Sequence, residues 1–120
     1  MMTTREIAGR LAELCAAGRY RDAIIELYAP DVTQSENGQS IPGGRDALVT
    51  ACKAWEESRV VHSTEILGTH VASDSFVVEM RHDVTPHATK IRNQWSEASV
   101  YRVRNGGIVD VRFYYKPAEA

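Results

Sequence analysis

Polar and apolar positions alternate with a period of two through the last quarter of the chain. Trp95, Glu97, Ser99, Tyr101 and Val103 hold one parity, and Gln94, Ser96, Ala98, Val100 and Arg102 hold the other. Beyond Asn105-Gly106-Gly107, Val109, Val111, Phe113 and Tyr115 alternate with Asp110, Arg112 and Tyr114. Alternation on both sides of an Asn-Gly-Gly turn predicts a long β-hairpin from Asn93 to Lys116. Glu97 and Ser99 are polar, yet they fall on the face that Trp95, Tyr101, Val111 and Phe113 would bury. Polar groups on such a face must be hydrogen-bonded or must line a cavity. The pattern therefore predicts a sheet wrapped around a pocket.

Earlier in the chain the period is helical. Thr3 and Glu6 form a capping box, after which Ile7, Leu11, Leu14 and Cys15 recur at helical spacing until Gly18. Tyr20, Ala23, Ile24, Leu27 and Tyr28 make a second stripe, expected to stop at Pro30, which lacks the amide a helix needs. Val32 to Glu36 predicts a brief strand, and Asn37-Gly38 with Pro42-Gly43-Gly44 a polar loop. A third helix carries Ala47, Leu48, Ala51, Cys52 and Trp55 on one face, with Arg45, Asp46, Lys53 and Glu56 on the other. From Arg59 the period changes to two, giving strands over Val60 to Val71 and Ser75 to Thr85 before the hairpin. Phe76, Val78, Met80 and His82 share the face expected to meet the helices. Helices first and antiparallel strands afterwards is an α+β order: three helices on a strongly bent, mostly antiparallel sheet, shaped as a cone-like α+β barrel.

Composition narrows the function classes. The 120 residues are 43% hydrophobic and 25% charged, which suits one domain spanning 1–120 with a full core of its own. A net charge of -2 with both signs mixed throughout offers no basic stripe for nucleic acid and no polybasic segment for a membrane. No signal-peptide pattern and no membrane-length apolar run is present, so the expected location is the cytoplasm. Cys15 and Cys52 sit among apolar neighbours in helical patterns and read as reduced core residues, with no metal site expected.

The order helix, helix, short strand, Gly-rich helix entry and final strands resembles the nuclear transport factor 2-like superfamily, in particular its SnoaL-like branch. The residues that carry the resemblance are Ala29 to Glu36 (APDVTQSE), Gly43 to Leu48 (GGRDAL) and Glu97 to Tyr115, and the likeness spans nearly the whole chain. It implies the cone-shaped fold and a choice among ketosteroid isomerases, polyketide cyclases, dehydratases, epoxide hydrolases and non-catalytic binding proteins. Fold alone selects none of them. Carried over from the isomerases, the general-base carboxylate falls on Glu36, the tyrosine donor to the oxyanion on Leu11, and the second, carboxylic acid donor on Ser99. The arginine flanked by aspartates of the epoxide hydrolases has no counterpart, since the parity of Arg81 and Asp83 puts them on the outer face. The resemblance also implies a homodimer, and Arg81, Asp83, Arg102, Arg112 and Tyr114 on that face are the residues expected to pair across a two-fold axis.

The candidate catalytic groups are thus Glu36, Glu97 and His82. Each has a plainer role open to it: Glu36 as a loop carboxylate on the amides of Asn37 and Gly38, Glu97 as a partner of His62 or His82, and His82 as a satisfied core histidine. Trp55, Phe76, Met80, Trp95, Ser99, Phe113 and Tyr115 are the expected lining, whether of a core or of a pocket for a small apolar or aromatic ligand. Tyr20 is a further candidate, its hydroxyl standing in for the donor missing at Leu11. The parity of His62 and Glu65 is open, and His70 and His87 are expected at the surface. Two function classes follow: a cofactor-independent isomerase, cyclase or lyase that moves a proton next to a carbonyl, and a non-catalytic ligand-binding or dimerisation module.

Overall fold

The computed structural model describes residues 1–116; the last four positions of the expected domain lie outside the described residues. Helix α1 (Thr4–Ala16) starts at the expected capping box. The Thr3 hydroxyl accepts from the Glu6 amide at 3.1 Å and the Glu6 carboxylate accepts from the Thr3 amide at 2.9 Å. It stops at Gly18, whose φ of +74° suits a residue without Cβ.

Helix α2 (Tyr20–Leu27) ends before the expected proline stop, and Tyr28 already begins strand β1 (Tyr28–Glu36), which runs through Pro30. The residue before a proline resists helical geometry, and Tyr28 gains a strand partner in Ile108. Asn37 and Gly38, with φ of +50° and +84°, make a two-residue turn into strand β2 (Gln39–Ile41). The stretch expected as a polar loop is therefore partly a hairpin, with Gln34 paired to Ile41 and Glu36 to Gln39.

After helix α3 (Arg45–Glu57) come strands β3 (Arg59–Val71), β4 (Ser75–Pro86), β5 (Asn93–Arg104) and β6 (Gly107–Tyr115). The six strands lie in the order β2-β1-β6-β5-β4-β3, open at both edges. β1 runs parallel to β6, and the other neighbours are antiparallel. The three helices cover one face. Ile7, Leu11 and Leu14 of α1 pack with Leu27, Leu48, Phe76, Val78, Tyr101 and Val111 to make the core. One parity differs from the alternation: a bulge after Arg102 pairs Val103 with Ile108, so Ile108 is buried and Val109 is displaced from the core face.

On the outer face the charges expected to pair across a two-fold axis are largely paired within the chain. Arg81 meets Glu65 at 3.6 Å and Arg112 meets Asp110 at 2.9 Å. Asp83, expected exposed, is buried under a two-point contact from Arg92 at 2.9 and 2.7 Å and a bond from Gln94 at 3.2 Å. The Arg92 guanidinium holds the Asp83 carboxyl at about 2, below its ordinary 3.8. A lowered folded value stabilises the fold above the ordinary value, and the contribution is lost as pH falls from there through about 2. Arg92→Leu is accordingly expected to move the acid-unfolding midpoint, followed by circular dichroism, to higher pH. An unmoved midpoint would mean that this pair carries no acid stability. Among the described residues no helix is long and apolar enough to cross a membrane.

Candidate functional site

The apolar stripe of α3 is only partly used for packing. Leu48 is buried, whereas Cys52 and Trp55 are half-buried and Ala51 is exposed. Together with the concave face of the sheet this stripe encloses a cavity of about 550 Å³. Leu11 and Cys15 of α1, Tyr20, Ala23 and Ile24 of α2, and Leu48, Ala51, Cys52 and Trp55 of α3 form one wall. Tyr28, Gln34, Glu36, Ile41, Arg59, Met80, His82, Trp95, Glu97, Tyr101, Phe113 and Tyr115 form the sheet side. The volume falls in the range of small-molecule sites, which combine apolar walls with a few convergent polar groups.

Two polar clusters face this space. In the first, His82 of β4 lies diagonally from Glu97, two residues beyond its direct partner Trp95 on β5, and Nε2 lies 2.6 Å from Glu97 Oε1. Its Nδ1 lies 2.8 Å from the Thr64 hydroxyl, which in turn bonds the Tyr20 hydroxyl. His82 is 5% exposed, and its ring is surrounded by Trp95 at 5.2 Å, Trp55 at 6.1 Å and Tyr20 at 6.3 Å between centroids. Both of its nitrogens are engaged, so His82 holds Glu97 in place and has no lone pair to offer a ligand.

The second cluster sits where β1 and β6 run side by side. Glu36 pairs with Phe113 in register, and the Tyr115 hydroxyl donates to Glu36 Oε2 at 3.1 Å. Burial, and then the Glu36 carboxylate beside it, push the Tyr115 phenol above its ordinary value, which keeps it a donor. Arg59 stacks its guanidinium 4.3 Å over Trp55 and donates to the Trp55 carbonyl at 2.9 Å. Burial draws the guanidinium down while Glu36 and Tyr115 push it back up. Burial also pushes the Tyr28 and Tyr101 phenols well up, and the Cys15 and Cys52 thiols to about 12, so the tyrosines remain donors and the thiols stay unionised.

Glu36, Glu97 and His82 thus open on one cavity, with Trp55, Met80, Trp95, Phe113 and Tyr115 among its walls. Phe76 and Ser99 do not line it. Phe76 stacks on Tyr101 at 4.7 Å in the core, and Ser99 is wholly covered between Val78 and Phe113 of the neighbouring strands. The hydroxyl of Tyr20, which lines the cavity, is taken by Thr64. Of the two partners weighed for Glu97, His82 is the one present, since His62 is turned to Thr85 at 2.8 Å. Thr64 and Arg59 were not anticipated. Bulges after Val61 and after Ile66 break the alternation of β3, which hides the inward parity of Thr64 and leaves His62 and Glu65 outside. Arg59 carries a weak sequence signal, as a cation four residues after a tryptophan at a helix end. Among the described residues, no group of three or more histidine, cysteine, aspartate or glutamate side chains is arranged to hold a metal ion.

Comparison with known proteins agrees with this fold. Residues 2–115 match the family model of the SnoaL-like domain. A protein from Mesorhizobium loti, assigned as a SnoaL-like polyketide cyclase, is 34% identical over 95% of this chain and 100% of its own, with a TM-score of 0.88. A ketosteroid isomerase-like fold from Catenulispora acidiphila, solved with trimethylamine, superposes at a TM-score of 0.79 with 19% identity, covering 98% of this chain and 90% of that one. An LEH-like epoxide hydrolase from M. tuberculosis superposes at 0.74 with 15% identity, covering 97% and 84%. No curated protein matches the sequence. With three helices on an open six-stranded sheet and a family match along nearly its whole length, the chain belongs to the SnoaL-like domain family, on the nuclear transport factor 2 and ketosteroid isomerase fold.

Proposed function

We propose that the protein is a cofactor-independent isomerase, cyclase or lyase that moves a proton next to a carbonyl in a small apolar or aromatic compound. The observation that carries this reading is that Glu36 and Glu97 open on the same mainly apolar cavity, each held by a different proton donor. One carboxylate removes the proton and the other returns it, in surroundings where desolvation favours transfer. The usual isomerase donors are missing at Leu11 and Ser99, and the buried phenols of Tyr28 and Tyr101 in the cavity wall are the groups that can serve the developing oxyanion. Two reactive probes test it: nitrobenzisoxazole, whose ring opens to a coloured phenolate on proton removal, and a β,γ-unsaturated cyclohexenone, whose double bond moves into conjugation. Saturable turnover of either supports the reading, and turnover of neither overturns it.

A second reading, non-catalytic binding, is favoured by the aromatic rings of Tyr20, Trp55 and Trp95 gathered beside two carboxylates. That combination suits a small organic cation, and trimethylamine occupies the Catenulispora acidiphila protein of the same fold. Titration calorimetry with trimethylamine hydrochloride checks it. Heat of binding without turnover of the two reactive probes would favour this alternative.

A homodimer through the outer sheet face belongs to the same proposal, resting on the half-exposed ring of Tyr114 and its neighbour Arg112. Light scattering should give twice the chain mass at micromolar concentration, and Arg112→Glu should reduce it; a single-chain mass for the wild type ends this part. A cytoplasmic location is proposed with it, supported by the free thiols of Cys15 and Cys52.

A further inference from the structure

Tyr20 borders two separate spaces. On one side is the cavity with His82 and Glu97. On the other, between the α1–α2 turn and β3, lies a depression of about 320 Å³ whose lining includes Gly18, Tyr20, Glu56, His62 and Thr64. The line Tyr20, Thr64, His82, Glu97 crosses the wall between them with a hydrogen bond at every step, at 2.8 Å from Thr64 to His82 and 2.6 Å from His82 to Glu97.

With Glu97 ionised and His82 neutral, donor capacity sets one direction for this line. An ionised Glu97 can only accept, so His82 donates from Nε2. A neutral imidazole then accepts at Nδ1, which makes the Thr64 hydroxyl the donor there. That hydroxyl has one proton, so its oxygen accepts from Tyr20. Burial keeps the Tyr20 phenol protonated. Every donor therefore points toward Glu97, and the rings of Trp55 and Trp95 pack against His82 in the path.

We propose that Tyr20, Thr64 and His82 form a proton wire that recharges Glu97 from the outer depression, which makes Glu97 the general acid and leaves Glu36 as the base. The assignment of acid and base rests on the acid–base reading above; the wire itself does not. One proton from water enters at the Tyr20 oxygen. The Tyr20 proton passes to Thr64 Oγ, the Thr64 proton to His82 Nδ1, and the Nε2 proton to Glu97 Oε1. One proton has crossed, no electrons have been transferred, and His82 is left as the Nδ1–H tautomer, which must give up that proton and be reprotonated at Nε2 before the next transfer. The three are positioning residues, since they act through Glu97.

The test needs no substrate. In the full chain labelled with ¹⁵N-histidine, the His82 signal is assigned by its loss in His82→Gln, and exchange of its Nε2 proton with water is followed by saturation transfer. The wild type should show the Nε2–H tautomer. Thr64→Val, close in shape but without the hydroxyl, should slow exchange by about tenfold or more, and Thr64→Ser should restore it. Tyr20→Phe interrupts the outer end alone and should also slow exchange, which keeps the test intact should Thr64→Val fail to fold. An Nδ1–H tautomer in the wild type, or exchange unchanged in Tyr20→Phe and in a folded Thr64→Val, would overturn the wire. Slowed exchange in a protein that turns over neither reactive probe would leave the wire standing and reject only the acid–base reading.

Discussion

Glu36→Gln should lower turnover of nitrobenzisoxazole by about 10²–10⁴-fold, the usual contribution of a positioned acid or base, with little change in the KM. The substitution keeps the size of the side chain and leaves an amide oxygen able to accept from Tyr115, whose hydroxyl now donates to Glu36 Oε2 at 3.1 Å. What is lost is the anionic lone pair, so the damage should appear in kcat. Tyr115→Phe removes the donor and leaves the carboxylate, and its effect should be smaller. For this probe a general acid is of little use, because the leaving phenolate needs no proton. Glu97→Gln should therefore be the milder change with nitrobenzisoxazole and the harsher one with the cyclohexenone, which must be reprotonated on carbon. Equal loss from both substitutions with both probes would refute the division of labour between the two carboxylates.

Phe76→Ala should destabilise the fold by about 3–5 kcal/mol, the range for deleting a buried phenyl ring. Phe76 is 1% exposed and stacks on Tyr101 with ring planes 14° apart. Nothing polar depends on it, so the loss is one of packing and of apolar area withdrawn from water. Urea titration measures it directly: the midpoint should fall with the slope unchanged. Loss below 1 kcal/mol would mean that the site collapses freely or was never packed as described. The comparison with Phe113→Ala is informative, because Phe113 borders the cavity and is already half-buried there. Its removal enlarges a space that exists and should cost less.

Much of this architecture is legible in residue order, because local signals and tertiary packing agree. The capping box at Thr3, the stripes of α1 to α3 and the paired strands around Asn105-Gly106 all appear where periodicity puts them. What escapes are features set by partners distant in sequence. Tyr28 leaves its helix because Ile108 offers it a strand. Val109 leaves the core because one extra residue is accommodated beside Val103. The inward parity of Glu97 and His82 can be read from alternation, and so can their proximity to Trp95. Their link to Thr64 cannot, since two bulges in β3 erase the period that would reveal it. Phe76 and Ser99 share the inward parity without reaching the cavity. Parity gives the side of a sheet, whereas depth under the helices depends on where α1 lies across it.

The parallel pairing of β1 with β6 has a consequence for how this protein emerges from the ribosome. Glu36 and Tyr115, which touch across that pairing, are 79 residues apart. Until the end of β6 has been synthesised, β1 has only the three-residue β2 to pair with, and a lone short hairpin is not stable by itself. The wall that carries Glu36 is therefore fixed only after β6 is made, and the nascent chain must hold an unpaired strand edge until then. Such an edge is a template for mispairing. Slowing translation through β6 should lower the folded yield more than slowing it through α1.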